Sequence, residues 1–379
     1  MKIYDSVHGF IHFNDLESAL IDTEPFQRLH YIHQLGISYM IYPGATHTRF
    51  EHSLGTMHIA TQIFDQIDDD PYWRQIVRLA ALCHDLGHLP FSHVAEKMLL
   101  GSRGHEQWTL NIIESSYLQP LWEKVQELYP SKPVVEHLLK LAIGEEKLIE
   151  LRGEIAFSSW EKIYSQIITG DFFGADRIDY LLRDAKATGL SYGLFDYSHL
   201  IEMLAVLPEG ELVISENGRE SCEALLLARH FMQRRVYQYP ASKAYSFHLA
   251  RFMKLLYSAP SYLSSIEQYF SMSEPAIICA LQEAKAAPDH PGHLDACALF
   301  DRKKRFKAIS LPGDMALERL IAFKEKGKIP QEQIHWELNN KYSLKQSPPI
   351  PILGTKELIS IPADHKNWLY LTPEFTFQI

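Results

Sequence analysis

Between residues 16 and 200 the apolar positions recur mostly three or four apart, the spacing of one helix face. The strongest such stretch is "QIVRLAALCHDL", where Ile76, Val77, Ala80, Ala81 and Cys83 share a face and Gly87 followed by Pro90 marks the end. "RFEHSLGTMHIATQIFDQI" and "GADRIDYLLRDAKATG" predict two more helices, the second closed by Gly189. Residues 1 to 15 alternate weakly, as in "FIHF", and predict a short strand or hairpin. "AVLPEGELVISENGRESCEALLLARHFMQRRVY" predicts strand, turn, strand, a turn at Asn217-Gly218 and then a long helix. Past about residue 260 the pattern weakens; helical pieces continue to about 325, and "SPPIPILG" and "NWLYLTPEFTFQI" predict a partly β end. The expected architecture is mainly α, with a helical core and small β-hairpins over residues 1–260 and a smaller α+β lobe over 261–379.

Bulk composition narrows the class without naming it. With 46% hydrophobic and 22% charged residues the chain reads as an ordinary soluble globular protein. No apolar run has the length of a membrane span, and the start "MKIYDSVHGF" has no apolar stretch of the signal-peptide kind. The four cysteines (Cys83, Cys222, Cys279, Cys297) are scattered without a CxxC spacing, which argues for a reducing compartment and against a disulfide framework or zinc ribbon. A cytoplasmic protein without membrane association is expected. The net charge of −10 disfavours a general nucleic-acid coat, yet a few cations in a cleft can still bind an anionic small substrate. Nineteen histidines are the one compositional oddity, and they change the picture.

"LAALCHDLGHLPFSHVAE" places His84 beside Asp85, then His88 and His93. Neighbours on a helix point about 100° apart, so both reach one cation only if it sits at the helix end. Imidazole and carboxylate together suit a first-row transition ion or Mg²⁺. "HTRFEHSLG" offers His52 one turn into a helix, with Gly55 allowing close approach of another backbone. "GADRIDY" offers Asp176, with Asp179 and Tyr180 on its face at i+3 and i+4. A lone histidine on a half-apolar helix is usually a hydrogen-bonded core or surface group. The ordered set H, HD, D on successive predicted helices sets this chain apart from that reading. There is no GxxxxGK[ST] loop, so any phosphates are held by side chains.

"IDTEPFQRLHYIHQLGISYMIYPGATHTRFEHSLG", "HDLGHLPFSH", "HEQW", "GADRIDYLLRDA" and "RRVYQY" follow one another in an order that resembles a known family. It is the HD-superfamily deoxynucleoside triphosphate triphosphohydrolases, which include bacterial enzymes and an animal branch joining SAM and HD domains. The match runs over about residues 2 to 250 and is loose beyond. The resemblance implies an HD-domain helical core in a homo-oligomer. It also implies one divalent metal ion (Mn, Fe, Ni, Zn or Mg) held by His52, His84, Asp85 and Asp176. The implied reaction is metal-dependent hydrolysis of a dNTP to deoxynucleoside and triphosphate. By the same resemblance His93 is the general acid, oriented by Glu96 where the SAM-and-HD branch has aspartate, and His88 and His105 are further active-site histidines. Arg49, Arg177 and Arg229 match triphosphate contacts, and Gln34, Leu35, Tyr180 and Tyr237 match the sugar and base pocket.

Regulation departs from the family. Asp22 and Gln27 match an activating-nucleotide pocket, but His30 replaces an arginine and Tyr4 an asparagine, so activation by GTP is not expected. "RKKRFK" at 302–307 is a solvated face or a nucleotide contact across a subunit boundary, and "GSRG" before His105 is a flexible-loop signal. Two other readings stand beside the dNTPase. One is an HD phosphohydrolase or phosphodiesterase acting on another nucleotide or a nucleic-acid end. The other is a nucleotide-binding regulator that has lost catalysis. The complete H…HD…D set with His93 argues against the regulator, and the net acidity argues against nucleic acid.

Overall fold

The chain opens with a hairpin of β1 (Lys2–Asp5) and β2 (Gly9–His12), antiparallel with Ile3 opposite Ile11. Asp5 closes its turn, Oδ1 accepting the N–H groups of Val7 and His8 at 2.8 Å each. Helix α1 (Asp15–Ile21) leads through short single turns to α2 (Arg49–Ile67), which begins on a reciprocal cap between Thr48 and Glu51. Helix α3 (Pro71–Cys83) follows, with Asp70 accepting the Trp73 N–H at 3.0 Å and Pro71 in the first turn, where its missing N–H is harmless. From Ile76 to Cys83 every residue of α3 is buried, so the helix runs through the centre of the main core and carries His84 into the interior.

The helix stops at Cys83, three residues short of the end of the stretch that its apolar pattern predicts. His84 caps it and the chain turns through Gly87, which packs so closely that a Cβ there would stand 2.1 Å from the carbonyl oxygen of His105. Helices α4 (Val134–Ile143), α5 (Ser159–Thr169) and α6 (Ala175–Thr188) complete the bundle, α4 against α3 and α5, and α6 along α2. Gly189, at φ +73°, ends α6 as the sequence predicts.

Arg183 of α6 is the buried tie between these elements. Its Nε and Nη2 donate to the two oxygens of Asp179 at 2.9 Å each, and its Nη1 donates to Asp5 Oδ2 at 2.8 Å and to Glu51 Oε2 at 3.2 Å. Gly55 makes room for this network: a Cβ there would lie 1.9 Å from Asp179 Oδ1 and 2.5 Å from Arg183 Nη2. The close approach that this glycine allows is therefore to the side chains of α6, not to its backbone.

Next come the antiparallel strands β3 (Leu204–Val206) and β4 (Leu212–Ile214), then α7 (Arg219–Met232). The predicted long helix widens into a π-turn at Gln233–Tyr237 before α8 (Pro240–Leu256). Helices α9 (Glu274–Ala286) and α10 (His293–Phe300) pack with α8 around Tyr245, Leu249 and Phe252, in a cluster that also takes in Leu89, Phe91 and Trp108. Strands β5 (Lys307–Leu311), β6 (Ile334–Glu337) and β7 (Asn367–Leu371) form an antiparallel sheet with β7 central, and helix α11 (Leu317–Lys326) lies in sequence between β5 and β6. The molecule is mainly α, with a helical core, small hairpins and a smaller α+β C-terminal lobe.

This computed structural model describes residues 1–170, 173–207, 210–302, 305–311, 317–330, 333–337, 350–351, 358–359 and 367–374. Lys303 and Lys304 of the basic run, and all of "SPPIPILG" but residues 350–351, lie outside the described residues. Among the described residues no helix is long and apolar enough to cross a membrane.

The Asp179 carboxylate is fixed by several partners and cannot swing away from an added methyl group. Gly55→Ala should therefore destabilise the fold by about 1–3 kcal/mol, as overpacked cores do. Urea denaturation checks this, and an unchanged midpoint contradicts the packing described.

Candidate metal centre and acid–base cluster

His52 sits one turn into α2, wholly buried. Its Nδ1 lies 2.7 Å from Asp179 Oδ2, and its Nε2 faces Asp176 Oδ1 at 3.0 Å and Asp85 Oδ2 at 3.5 Å. His84, at the end of α3, has Nδ1 2.7 Å from the carbonyl oxygen of Ala81. A carbonyl only accepts, so Nδ1 carries a proton, and in the neutral ring Nε2 holds the lone pair. That Nε2 is buried with no hydrogen-bond partner among the described residues, 3.4 Å from Asp85 Oδ1 and 3.7 Å from Asp176 Oδ1.

In that neutral form the lone pair looks into two carboxylates, an arrangement that is repulsive unless a cation lies among them. Donor separations of about 3–4 Å suit ligands held about 2.1 Å from one ion. In each histidine the outer nitrogen is anchored and the inner one is directed at the group, as in metal-ligating histidines generally. The residues fit a divalent ion. Burial alone would push His52 down, but hydrogen bonds to Asp176 and Asp179 and the charges of Asp179 and Asp85 raise it to about 10. Burial would raise Asp85, but Arg49, His84 and His88 hold it well below the usual carboxylate range. Asp176 is the one open member, its side chain 36% exposed.

An acid–base cluster adjoins this group. His88 Nε2 lies 3.2 Å from Asp85 Oδ1, and its ring stacks on His105 at 3.6 Å. Glu96 bridges two histidines, with Oε2 2.5 Å from His93 Nδ1 and Oε1 2.6 Å from His105 Nδ1. Burial would raise Glu96, but the hydrogen bonds to His105 and His93 hold it far below the carboxylate range. His105 is raised because its bond to Glu96 outweighs burial, whereas burial and Arg49 hold His88 well below its ordinary value. His93 alone stands at the mouth, its side chain 64% exposed. Both histidines spend Nδ1 on one carboxylate, which suits proton transfer better than metal ligation.

The turn that delivers His93 is strained, with Phe91 at φ 60° and Ser92 at φ 55°. It is held by Glu274, which accepts the Phe91 N–H at 2.8 Å, and by the Ser92 hydroxyl, which accepts from Arg49 Nε at 2.8 Å and donates to His33 O at 2.7 Å. The "GSRG" segment has a sharper purpose than flexibility. Gly104 sits at φ +66°, and a Cβ there would lie 2.2 Å from Glu106 Oε2.

Of the residues matched to substrate, Gln34 is nearly buried and its Oε1 has no partner among the described residues. Leu35, Tyr180 and Tyr237 pack against the main core, the two tyrosine rings edge to face at 5.8 Å. The Tyr237 hydroxyl donates to Asp184 Oδ2 at 2.8 Å, and His47 Nε2 lies 2.6 Å from Asp184 Oδ1. Arg49 is turned inward instead, its Nη1 2.5 Å from Asp85 Oδ2, and is only 3% exposed. Arg177 and Arg229 are half-buried on α6 and α7. Sequence reasoning missed His8, His47, Arg183 and Asp184. A signal existed for the last two: Asp176, Asp179, Tyr180, Arg183 and Asp184 continue one polar stripe at i, i+3, i+4, i+7 and i+8.

Residues 49–147 match the HD domain and residues 195–327 the HD-associated region. A solved structure of a hypothetical protein from Aquifex aeolicus is 31% identical, covering 98% of this chain and 96% of that one with a TM-score of 0.78. Human deoxynucleoside triphosphate triphosphohydrolase SAMHD1 is 31% identical over 267 residues, 62% of this chain and 41% of that protein. An uncharacterised protein of Methanocaldococcus jannaschii is 35% identical over 241 residues, 63% of this chain and 46% of that protein. The chain spans about half the length of the curated relatives it matches. It belongs to the HD superfamily, with an HD domain followed by an HD-associated region, and is similar in sequence to the deoxynucleoside triphosphate triphosphohydrolases.

Proposed function

We propose that this protein is a metal-dependent triphosphohydrolase that converts a dNTP to deoxynucleoside and triphosphate, as a cytoplasmic homo-oligomer. The observation that carries the reading is one juxtaposition. The unpartnered His84 Nε2, set among His52, Asp85 and Asp176, adjoins a cluster in which Glu96 presents an exposed His93. The match to the human enzyme supports the choice of substrate.

A bound divalent ion supplies Lewis-acid polarisation of the phosphate. The chain's own groups do the rest. Glu96 holds His93 by Nδ1, so Nε2 is the end that gives a proton to the leaving 5′-oxygen. Arg49 fixes Asp85 and Ser92 at once, joining the ligand set to the turn that carries His93. Holding the triphosphate then falls mainly to Arg177 and Arg229, with guanidinium forks suited to phosphate oxygens. Gln34, Leu35, Tyr180 and Tyr237 enclose the sugar and base.

His84→Ala or Asp85→Ala should weaken both metal binding and hydrolysis, and the double variant should lose them, because His52 and Asp176 alone hold an ion poorly. Elemental analysis of the purified variants checks this, and full metal occupancy in the double variant takes both residues out of the ligand set. His93→Ala should leave metal and nucleotide binding intact and lower turnover roughly 10²–10⁴-fold. Glu96→Gln should be a milder version of it. Lost nucleotide binding with undiminished turnover per complex makes His93 a positioning residue instead.

Discrimination against ribonucleotides follows from the sugar wall. Leu35 and the Tyr180 ring offer the 2′-carbon only apolar surface, so a 2′-hydroxyl loses its water without a replacement, at about 1–3 kcal/mol. That corresponds to roughly a 5- to 150-fold preference in kcat/KM for dATP over ATP and for dGTP over GTP. Tyr180→Ala should narrow the ratio, chiefly by relieving the ribonucleotide. Comparable values for both sugars in the wild type favour a less selective HD phosphohydrolase.

A further inference from the structure

Behind the turn that delivers His93, a cavity of about 420 Å³ opens between the segment around Arg28 and residues 270–275. Tyr31, Ile32, Pro90, Phe270 and Met272 give it apolar walls. Arg28 lines it too, its guanidinium 5.3 Å from the centre of the Tyr269 ring and 5.2 Å from that of Phe270. Both Nη atoms are shut off from solvent and have no hydrogen-bond partner among the described residues.

The carboxylate whose charge reaches Arg28 is Glu274, and its oxygens are already spent. Oε1 accepts the N–H groups of His33 and Phe91 at 2.8 Å each, and Oε2 lies 2.5 Å from His33 Nδ1. Contact with two aromatic faces offsets only part of the cost of burying a cation without hydrogen bonds. Buried donors left unsatisfied in this way point to a missing partner.

The cavity shares Gln27 with the face that matches the family's activating-nucleotide pocket, but not Asp22 or His30. On that face His30 stacks its ring on Phe50 at 3.5 Å, and Arg28 turns away from it towards Tyr269 and Phe270.

We propose that the cavity binds a monocarboxylate with an apolar body, such as an aryl-alkanoate. The guanidinium turns from between its rings to take the carboxylate, and the body lies against Tyr31, Pro90, Phe270 and Met272. A planar fork matches a carboxylate in a two-point contact. Among the described residues no second cation lines the cavity, and Glu24 does, so a phosphate's second charge has no partner there. The apolar walls then select for the body.

Calorimetric titration of the full chain with 4-phenylbutyrate, its neutral amide and inorganic phosphate tests the proposal. The acid should bind at least about tenfold more tightly than the amide, the margin of a charge-assisted hydrogen bond, and phosphate alone should not bind. Arg28→Met keeps the contact with the rings and removes the charge, so acid and amide should become equal. Met272→Trp fills the cavity and should abolish binding of both. Equal affinity for acid and amide in the wild type, an acid advantage that survives Arg28→Met, or binding of phosphate alone overturns the assignment. Where melting shows that Arg28→Met does not fold, Met272→Trp decides, and undiminished binding of the acid by that variant overturns it.

Discussion

A guanidinium buried among carboxylates organises the site half of this protein. Arg183 holds Asp179 through both oxygens and reaches Asp5 and Glu51, joining the N-terminal hairpin, α2 and α6. Asp179 in turn fixes Nδ1 of His52 and takes His8 Nε2 at 2.6 Å on its other oxygen. Removing one partner from a buried pair of this kind costs about 3–5 kcal/mol, because the remaining charge is left uncompensated. The hairpin is therefore part of the support of His52, although it supplies none of the proposed ligands.

The other half depends on α3. Its last turns are buried on every side, and this drives His84 to the centre, where its inner nitrogen has no hydrogen-bond partner among the described residues. From there the chain turns sharply through Phe91 and Ser92, both left-handed, which costs about 1–2 kcal/mol per residue. Glu274, Arg49 and His33 hold that turn in place. Arg49 binds Asp85 and Ser92 together, so one side chain links the proposed ligand set to the proposed acid.

Much of this was legible in the sequence. The buried helix before His84, the helix around His52, the Gly189 stop and the hairpins β1–β2 and β3–β4 follow from period, caps and turn residues. The end of α3 was misjudged because the apolar period continues past Cys83, while the close packing of Gly87 against the His105 carbonyl is long-range. The inward turn of Arg49 was invisible for a similar reason. An arginine beside His52 reads the same whether it faces a ligand or the carboxylate of Asp85. His8 and His47 were missed because a histidine in a turn or loop carries no periodic signal, and their partners Asp179 and Asp184 lie 171 and 137 residues away.

The central claim is that His52, His84, Asp85 and Asp176 form the cation site and that the neighbouring His88–His93–Glu96–His105 group does not. By spacing alone, His52, His84 and Asp85 could gather around an ion, and so could the His88–His93–Glu96–His105 group. Anomalous diffraction from crystals of the protein loaded with Mn²⁺ separates them directly. The account predicts a single strong peak among His52 Nε2, His84 Nε2, Asp85 and Asp176. A peak seated between His93, Glu96 and His105, with the His84 group empty, contradicts it.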